Sequence, residues 1–396
     1  MESNIYKKLA HHLDHLPGGY PPTDTGVELK ILKKLFTPDE AELMLHLTIL
    51  PESPRIIAYR AKLPQDVVEK RLSELARKGC IVIHNRNSTI NYIMSSVPIW
   101  IKKKILFFGL SEKEDVLYSA VNFVIGIWEF HLNSLDIELI KDVNEYMPFL
   151  MKEWIKLPQL RTIPIGKSLN PDLKILSYEN AEALIKKHNK FVVAKCICRL
   201  EKQMMDEGCN KPLESCIMMG LAAEFYEYSG LGRAISLDEC IEILKKAEKA
   251  GLVLQPSNYK DSTNICCCCG CCCGVLRNIK ILPEPSKHIP SFFVNKFNPE
   301  TCNGCGVCVK RCPMDAIKLL EDGKVFFDEK RCIGCGVCVP TCPTKSLSLV
   351  RKSNPPVIPN NMISAALKLA QNRGKMNALS ITKLFLSSMI DRFMAP

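Results

Sequence analysis

Eight of the 21 cysteines in this 396-residue chain fall into two matching arrays. Cys302, Cys305 and Cys308 are each separated by two residues, and Cys312 follows three residues later with Pro313 behind it. Cys332, Cys335, Cys338, Cys342 and Pro343 repeat the array in register. Three thiolates at this spacing wrap a tight loop around one face of a [4Fe–4S] cubane. The fourth, beyond a turn and followed by proline, points away and ligates the neighbouring cluster. The spacing therefore predicts one cluster on Cys302, Cys305, Cys308 and Cys342, and a second on Cys332, Cys335, Cys338 and Cys312. The glycines between the thiols, at 304, 306, 334 and 336, let the backbone bend close enough for amide N–H groups to reach cluster sulfurs. Structural zinc fits poorly, because zinc sites usually pair two short Cys knuckles across a longer gap.

Over about 60 residues this stretch closely resembles bacterial-type two-cluster ferredoxins. That resemblance implies a β/α sandwich with pseudo-twofold symmetry and one-electron transfer at low potential. Asp322-Gly323 is a hairpin signal between the two halves, separating AIKLL from KVFFD.

A second group of thiols lies upstream. Cys196, Cys198, Cys209 and Cys216 precede a loop with Cys266, Cys267, Cys268, Cys269, Cys271, Cys272 and Cys273. Seven cysteines in eight residues are hard to explain as packing, and Gly270 and Gly274 permit the reversals that bring alternate side chains together. Three readings stand: at least one additional iron–sulfur cluster, zinc or another thiophilic metal, and thiol redox chemistry among the cysteines themselves. The first is favoured. The combination of CICR, GCNKPLESC and NICCCCGCCCG ahead of a two-cluster ferredoxin resembles a family of 4Fe–4S dicluster proteins of anaerobes and archaea. The likeness covers most of the chain, including its winged-helix-like start and the IGIWEF segment. It implies that the second loop cysteine, Cys267, is not a ligand. The candidate ligands of the additional cluster are then Cys196, Cys198, Cys209, Cys216, Cys266, Cys268, Cys269, Cys271, Cys272 and Cys273. Cys80 and Cys240 read as core residues.

The elements that position these thiols can be read in outline. FVVA (191–194) is a strand delivering the chain to Cys196, and Ser236-Leu237-Asp238-Glu239 is a capping box opening a helix that stops at Gly251. Near the N-terminus, Thr37-Pro38-Asp39-Glu40 opens a helix, and Ser53-Pro54 and Gln65 begin two more. CIVIH (80–84) and TINYIM (89–94) then read as a hairpin, giving the order of a winged helix-turn-helix. Residues 100–160 read as helical, with the uncharged run Val116–Trp128 as a buried helix. The tail carries apolar residues at helical spacing (Ile381, Leu384, Phe385, Ile390, Phe393) and reads as a helix packed on the body. The expected fold is multidomain α+β: a winged-helix-like domain over 1–98, a mostly helical connection over 99–190, a cysteine-rich module over 191–285, a two-cluster ferredoxin domain over 286–351 and a helical tail over 352–396.

Composition narrows the class. The N-terminal stretch MESNIYKKLAHHLDH lacks the apolar region of a signal peptide, so the thiols are expected to stay reduced in the cytoplasm and to serve as metal ligands. No run reaches the roughly 18 apolar residues of a membrane span. The formal charge of +11 falls to roughly +7 once two clusters, each about −2 with its thiolates, are counted. A glycine-rich phosphate loop is excluded at Gly166-Lys167-Ser168, because the required earlier glycine is Arg161. No nucleophile–base pair is evident, so an electron-transfer component is favoured over an autonomous enzyme. The expected role is single-electron relay at low potential to or from a redox-enzyme partner. Two alternatives are a redox-responsive winged-helix regulator that binds DNA and an oxidoreductase with its own substrate site at the middle cluster. Mixed charge on the third helix, with Asp66, Glu69 and Glu74 beside Lys70, Arg71, Arg77 and Lys78, disfavours nucleic acid.

Overall fold

The computed structural model describes residues 2–96, 115–156, 158–170, 173–375 and 377–396. The chain divides into two compact units: residues 1–157, 224–231 and 363–396 form one, and residues 158–223 and 232–362 form the other.

The first unit starts with helices α1 (Glu2–His15), α2 (Val27–Leu35) and α3 (Pro38–Met44). The capping box at α3 is formed: Glu40 N donates to Thr37 Oγ1 at 3.3 Å and Thr37 N donates to the Glu40 carboxylate at 2.7 Å. Helices α4 (Pro54–Ala61) and α5 (Gln65–Lys78) bury Ile56 and Ile57 and, on α5, Val68, Leu72, Leu75 and Ala76. The following strand β1 (Val82–Asn85) is present, but the expected second hairpin strand is not. Residues 89–94 lie in helix α6 (Arg86–Ser96), and β1 pairs instead with β2 (Val116–Ser119). The side chain of Asn85 explains the difference, since it accepts the Ser88 N–H at 3.1 Å in the manner of a helix N-cap rather than a tight turn. The 100–114 part of the stretch read as helical lies outside the described residues. The Val116–Trp128 run is largely buried, as expected, yet it is β2 followed by a non-helical turn at 124–126. Helix α7 (Ile137–Trp154) follows, capped by Asp136.

The second unit is built on a five-stranded antiparallel sheet with spatial order β5-β3-β4-β7-β6. In chain order its elements are β3 (Phe191–Lys195), α8 (Ile197–Met204), β4 (Glu214–Met219), β5 (Gly232–Ala234), α9 (Leu237–Lys249), β6 (Val253–Pro256), β7 (Asn264–Cys268) and α10 (Gly274–Lys280). Ser236 caps α9 by accepting from Glu239 N at 3.1 Å. The C-terminal part of this unit is a small, internally repeated module. Strand β8 (Phe293–Phe297) pairs with β11 (Leu347–Arg351), and β9 (Ile317–Leu319) pairs with β10 (Val325–Phe327) across the Asp322-Gly323 turn, with helix α11 (Val307–Arg311) following the first cysteine triplet's glycines.

Two tail helices, α12 (Met362–Asn372) and α13 (Ala378–Met394), complete the chain. The tail packs through buried Leu369 and Ala370 on α12 and, on α13, through polar groups: Arg60 Nε meets Asp391 at 2.6 Å, Ser388 Oγ donates to Glu52, and Arg55 donates to the Ala395 carbonyl. Phe385, Ile390 and Phe393 are exposed. Among the described residues, no helix is long and apolar enough to cross a membrane.

Candidate metal centres

Six of the ten candidate thiols of the cysteine-rich segment form a closed ring. Strand β3 delivers Cys196 to the N-cap of α8, and Cys198 lies in that helix's first turn. Cys216 on β4 faces Cys266 on β7 across the sheet. Side chains alternate along a strand, so Cys266 and Cys268 share one face. Cys273 stands at the N-cap of α10. Each of the six interacts with two of the others, in the order Cys196, Cys198, Cys273, Cys268, Cys266, Cys216 and back to Cys196. The thiols alternate around this ring. Hydrogen bonds from two neighbours hold Cys196, Cys266 and Cys273 well below the ordinary thiol range. The same neighbours push Cys198, Cys216 and Cys268 well above it.

The other four thiols form a separate knot. Cys209, from the loop after α8, meets Cys269, Cys271 and Cys272, and all four sulfurs lie within 4.8 Å of one another. Cys269 and Cys272 are buried, while Cys271 is exposed. Cys267 joins neither group. It sits 1% exposed in the core, and burial pushes its thiol up.

The surroundings favour negative charge. The Arg199 guanidinium is fully buried and donates to the carbonyls of Pro212 and Cys267 and to Ser215 Oγ at 2.7 Å. No carboxylate is among these partners. Burial opposes its charge, yet Cys196, then Cys269 and Cys268, hold its pKa above the usual arginine value. A buried cation needs a compensating anion, and here the thiolates supply it. Donors also reach the ring sulfurs: Gly274 N to Cys198 at 3.4 Å and Asn264 Nδ2 to Cys266 at 3.7 Å. Gln255 Nε2 and Arg199 Nε are buried with no hydrogen-bond partner. Gln255 lies beside the ring, with Cys273 Sγ 4.0 Å from its Oε1. A buried donor left unpaired is costly, and a sulfide-bearing cluster in the ring would offer Gln255 an acceptor. The ring thus fits an iron–sulfur group.

In the ferredoxin-like module, one cavity is lined by Cys312, Cys332, Cys335 and Cys338. Burial pushes up the thiols of Cys332, Cys335 and Cys338, with the charge of Cys312 adding to each. Cys308 lies within electrostatic reach of Cys302 and Cys305. Cys342 packs against the small core that contains Cys308. The pseudo-symmetry extends to single bonds: Ala316 N donates to Cys312 Sγ and Ser346 N to Cys342 Sγ, each at 3.2 Å and four residues on. Asn295 Nδ2 adds a 3.0 Å bond to Cys338 Sγ. Cys332, Cys335 and Cys338 are buried, whereas Cys305 is exposed and Cys302 half-buried.

The two cysteine groups of this unit meet directly. A Cβ built on Gly270, inside the thiol loop, would lie 2.1 Å from the carbonyl oxygen of Pro313, the residue after Cys312. Arg311 donates to the carbonyls of Glu248 and Lys249 at the end of α9, and Arg331 donates to Lys280 O and Leu282 O at the end of α10. Cations at helix C-termini meet the negative end of the helix dipole. Each arginine is one residue before a candidate ligand, Cys312 or Cys332, so helix capping and cysteine placement are tied together.

Sequence reasoning left Arg199, Gln255, Asn264 and Asn295 without roles. Arg199 was within reach, since it directly follows Cys198 in CICR. Cys80 and Cys240 are both fully buried.

A family model described as a 4Fe-4S dicluster domain matches residues 289–346. No curated protein and no solved structure matches the chain. Residues 289–346 are therefore a ferredoxin-like iron–sulfur module, and the chain that carries them is an iron–sulfur, metal-binding protein.

Proposed function

We propose that this protein relays single electrons at low potential to or from a partner oxidoreductase, through two [4Fe–4S] clusters and at least one further iron–sulfur cluster in the cysteine-rich segment. Cys302, Cys305, Cys308 and Cys342 would hold one cubane; Cys332, Cys335, Cys338 and Cys312 would hold the other. When bound, such clusters supply reversible one-electron chemistry, and the chain tunes it by burial and by N–H···S bonds. In this reading Asn295, Ala316 N and Ser346 N supply those bonds in the ferredoxin module, and Gln255, Asn264 and Gly274 N supply them at the ring. The exposed Cys305 edge marks one end of the relay, and the buried Cys332–Cys338 loop is its interior.

The observation that carries this reading is the contact of Gly270 with Pro313. It sets the thiol loop against the residue following a cubane ligand, with no intervening side chain. The test is a reductive titration of the anaerobic protein, counted by EPR. Two interacting signals are expected from the ferredoxin module, together with a further reducible centre that persists when Cys302 and Cys332 are both replaced by serine. A chain that takes up electrons only at the ferredoxin clusters would leave the middle segment outside the relay.

A further inference from the structure

We infer that the ten-thiol segment holds two centres of different kinds, and that Cys209, Cys269, Cys271 and Cys272 bind a single tetrahedral metal ion rather than a cluster. The inference rests on the proposal that these thiols bind metal, and it divides them. Geometry carries the division. Cys209 lies 3.9 Å from Cys269 and 3.6 Å from Cys272, and Cys272 lies 3.7 Å from Cys271. A tetrahedron with metal–sulfur bonds of about 2.3 Å has sulfur–sulfur edges of about 3.8 Å. The knot is therefore the size of one ion. The irons of a cubane occupy separate corners, and their outer thiolates stand much further apart.

The molecule supplies its own contrast. Among the described residues, this quartet alone brings three or more ligand atoms within 4.8 Å of one another. The Cys312, Cys332, Cys335 and Cys338 set surrounds a cavity without closing to that distance. No three sulfurs of the six-membered ring are mutually that close, so it surrounds a space rather than a point. Sulfur-only tetrahedral coordination suits zinc or a lone iron. Three ligands come from one four-residue stretch, Cys269-Gly270-Cys271-Cys272, and the fourth clamps it from a distant loop. This is the arrangement of a closed structural site. Such an ion would fix the loop that Gly270 presents to Pro313.

The test uses the full chain, purified anaerobically, with zinc, iron and acid-labile sulfide counted per chain. The intact protein should hold one ion beyond those accounted for by clusters, either one zinc or one iron in excess of sulfide. Cys271→Ser is the variant of choice because Cys271 is exposed. It should remove that one ion and leave sulfide and the ferredoxin EPR signals unchanged. Sulfide lost together with metal, or no metal lost, would overturn the inference. X-ray absorption on the unmodified protein gives an independent reading that needs no variant. At the zinc edge, or at the iron edge after subtraction of the clusters, four sulfur neighbours at about 2.3 Å are expected; nitrogen or oxygen neighbours would overturn it. The parent proposal fails separately, when Cys198→Ser leaves sulfide unchanged.

Discussion

Replacing Gly270 by alanine probes the junction between the two cysteine groups with one methyl group. The added Cβ would meet Pro313 O at 2.1 Å and Pro313 C and Cα at 2.8 Å, whereas ordinary contact begins at 3.4 Å. Relief requires a displacement of 3.4 − 2.1 = 1.3 Å, and both sides of the contact are backbone, so no side chain can swing away. Pro313 cannot retreat freely because it follows Cys312 and because Arg311 is tied to α9. Forcing an extra methyl into packed structure costs about 1–3 kcal/mol. For a unit of this size that lowers the melting temperature by roughly 2–12 °C. Melting of the anaerobic protein, with iron and sulfide counted alongside, measures the effect. Pulsed reduction followed by spectroscopy then measures how fast electrons equilibrate between the two modules, and that rate should fall. An alanine variant with wild-type melting and an unchanged equilibration rate would refute the claim that this contact couples them.

Other expectations follow from the thiol geometry. Cys312→Ser should alter the EPR signal of the centre at Cys332, Cys335 and Cys338, matching Cys332→Ser; a match to Cys302→Ser would mean the ligands do not cross. Cys198→Ser should lower iron and sulfide together, while Cys267→Ser should change neither, because its side chain leaves the strand on the opposite face; cluster loss in Cys267→Ser would count against the ring. Arg331→Ala removes the donors that cap α10 at Lys280 O and Leu282 O. It should destabilise the protein by about 1.5–3 kcal/mol, the range for hydrogen bonds involving a charged group, and denaturant unfolding with an unmoved midpoint would show those bonds to be idle.

What could be read in the sequence, and what could not, follows from how local each determinant is. The ferredoxin half-motifs were legible because their spacing is set by the shape of the group they hold, over a dozen residues at a time. The strand into Cys196 and the capping boxes at Thr37 and Ser236 were legible for the same reason, since each is decided by its immediate neighbours. The division of ten thiols into six and four was not. Its members come from a strand end, a helix turn, two paired strands and two loops, and only the β4–β7 register brings Cys216 to Cys266. One part was within reach: alternation along β7 places Cys266 and Cys268 on one face and Cys267 on the other. The second hairpin strand failed because TINYIM is rich in β-formers while its partner is chosen by distant contacts. β1 pairs with residues 116–119, a non-local choice that no window over 80–94 contains.

The proposed ring of six thiols has a consequence for how the protein would be handled and matured. Stripped of metal, each sulfur has two neighbours within reach, and six is an even number. Oxygen need only take two electrons and two protons from each adjacent pair to close three disulfides. On the reading that the ring holds a cluster, an oxidised chain without metal would be closed by the same proximity that makes the site, and metal would have to arrive before air.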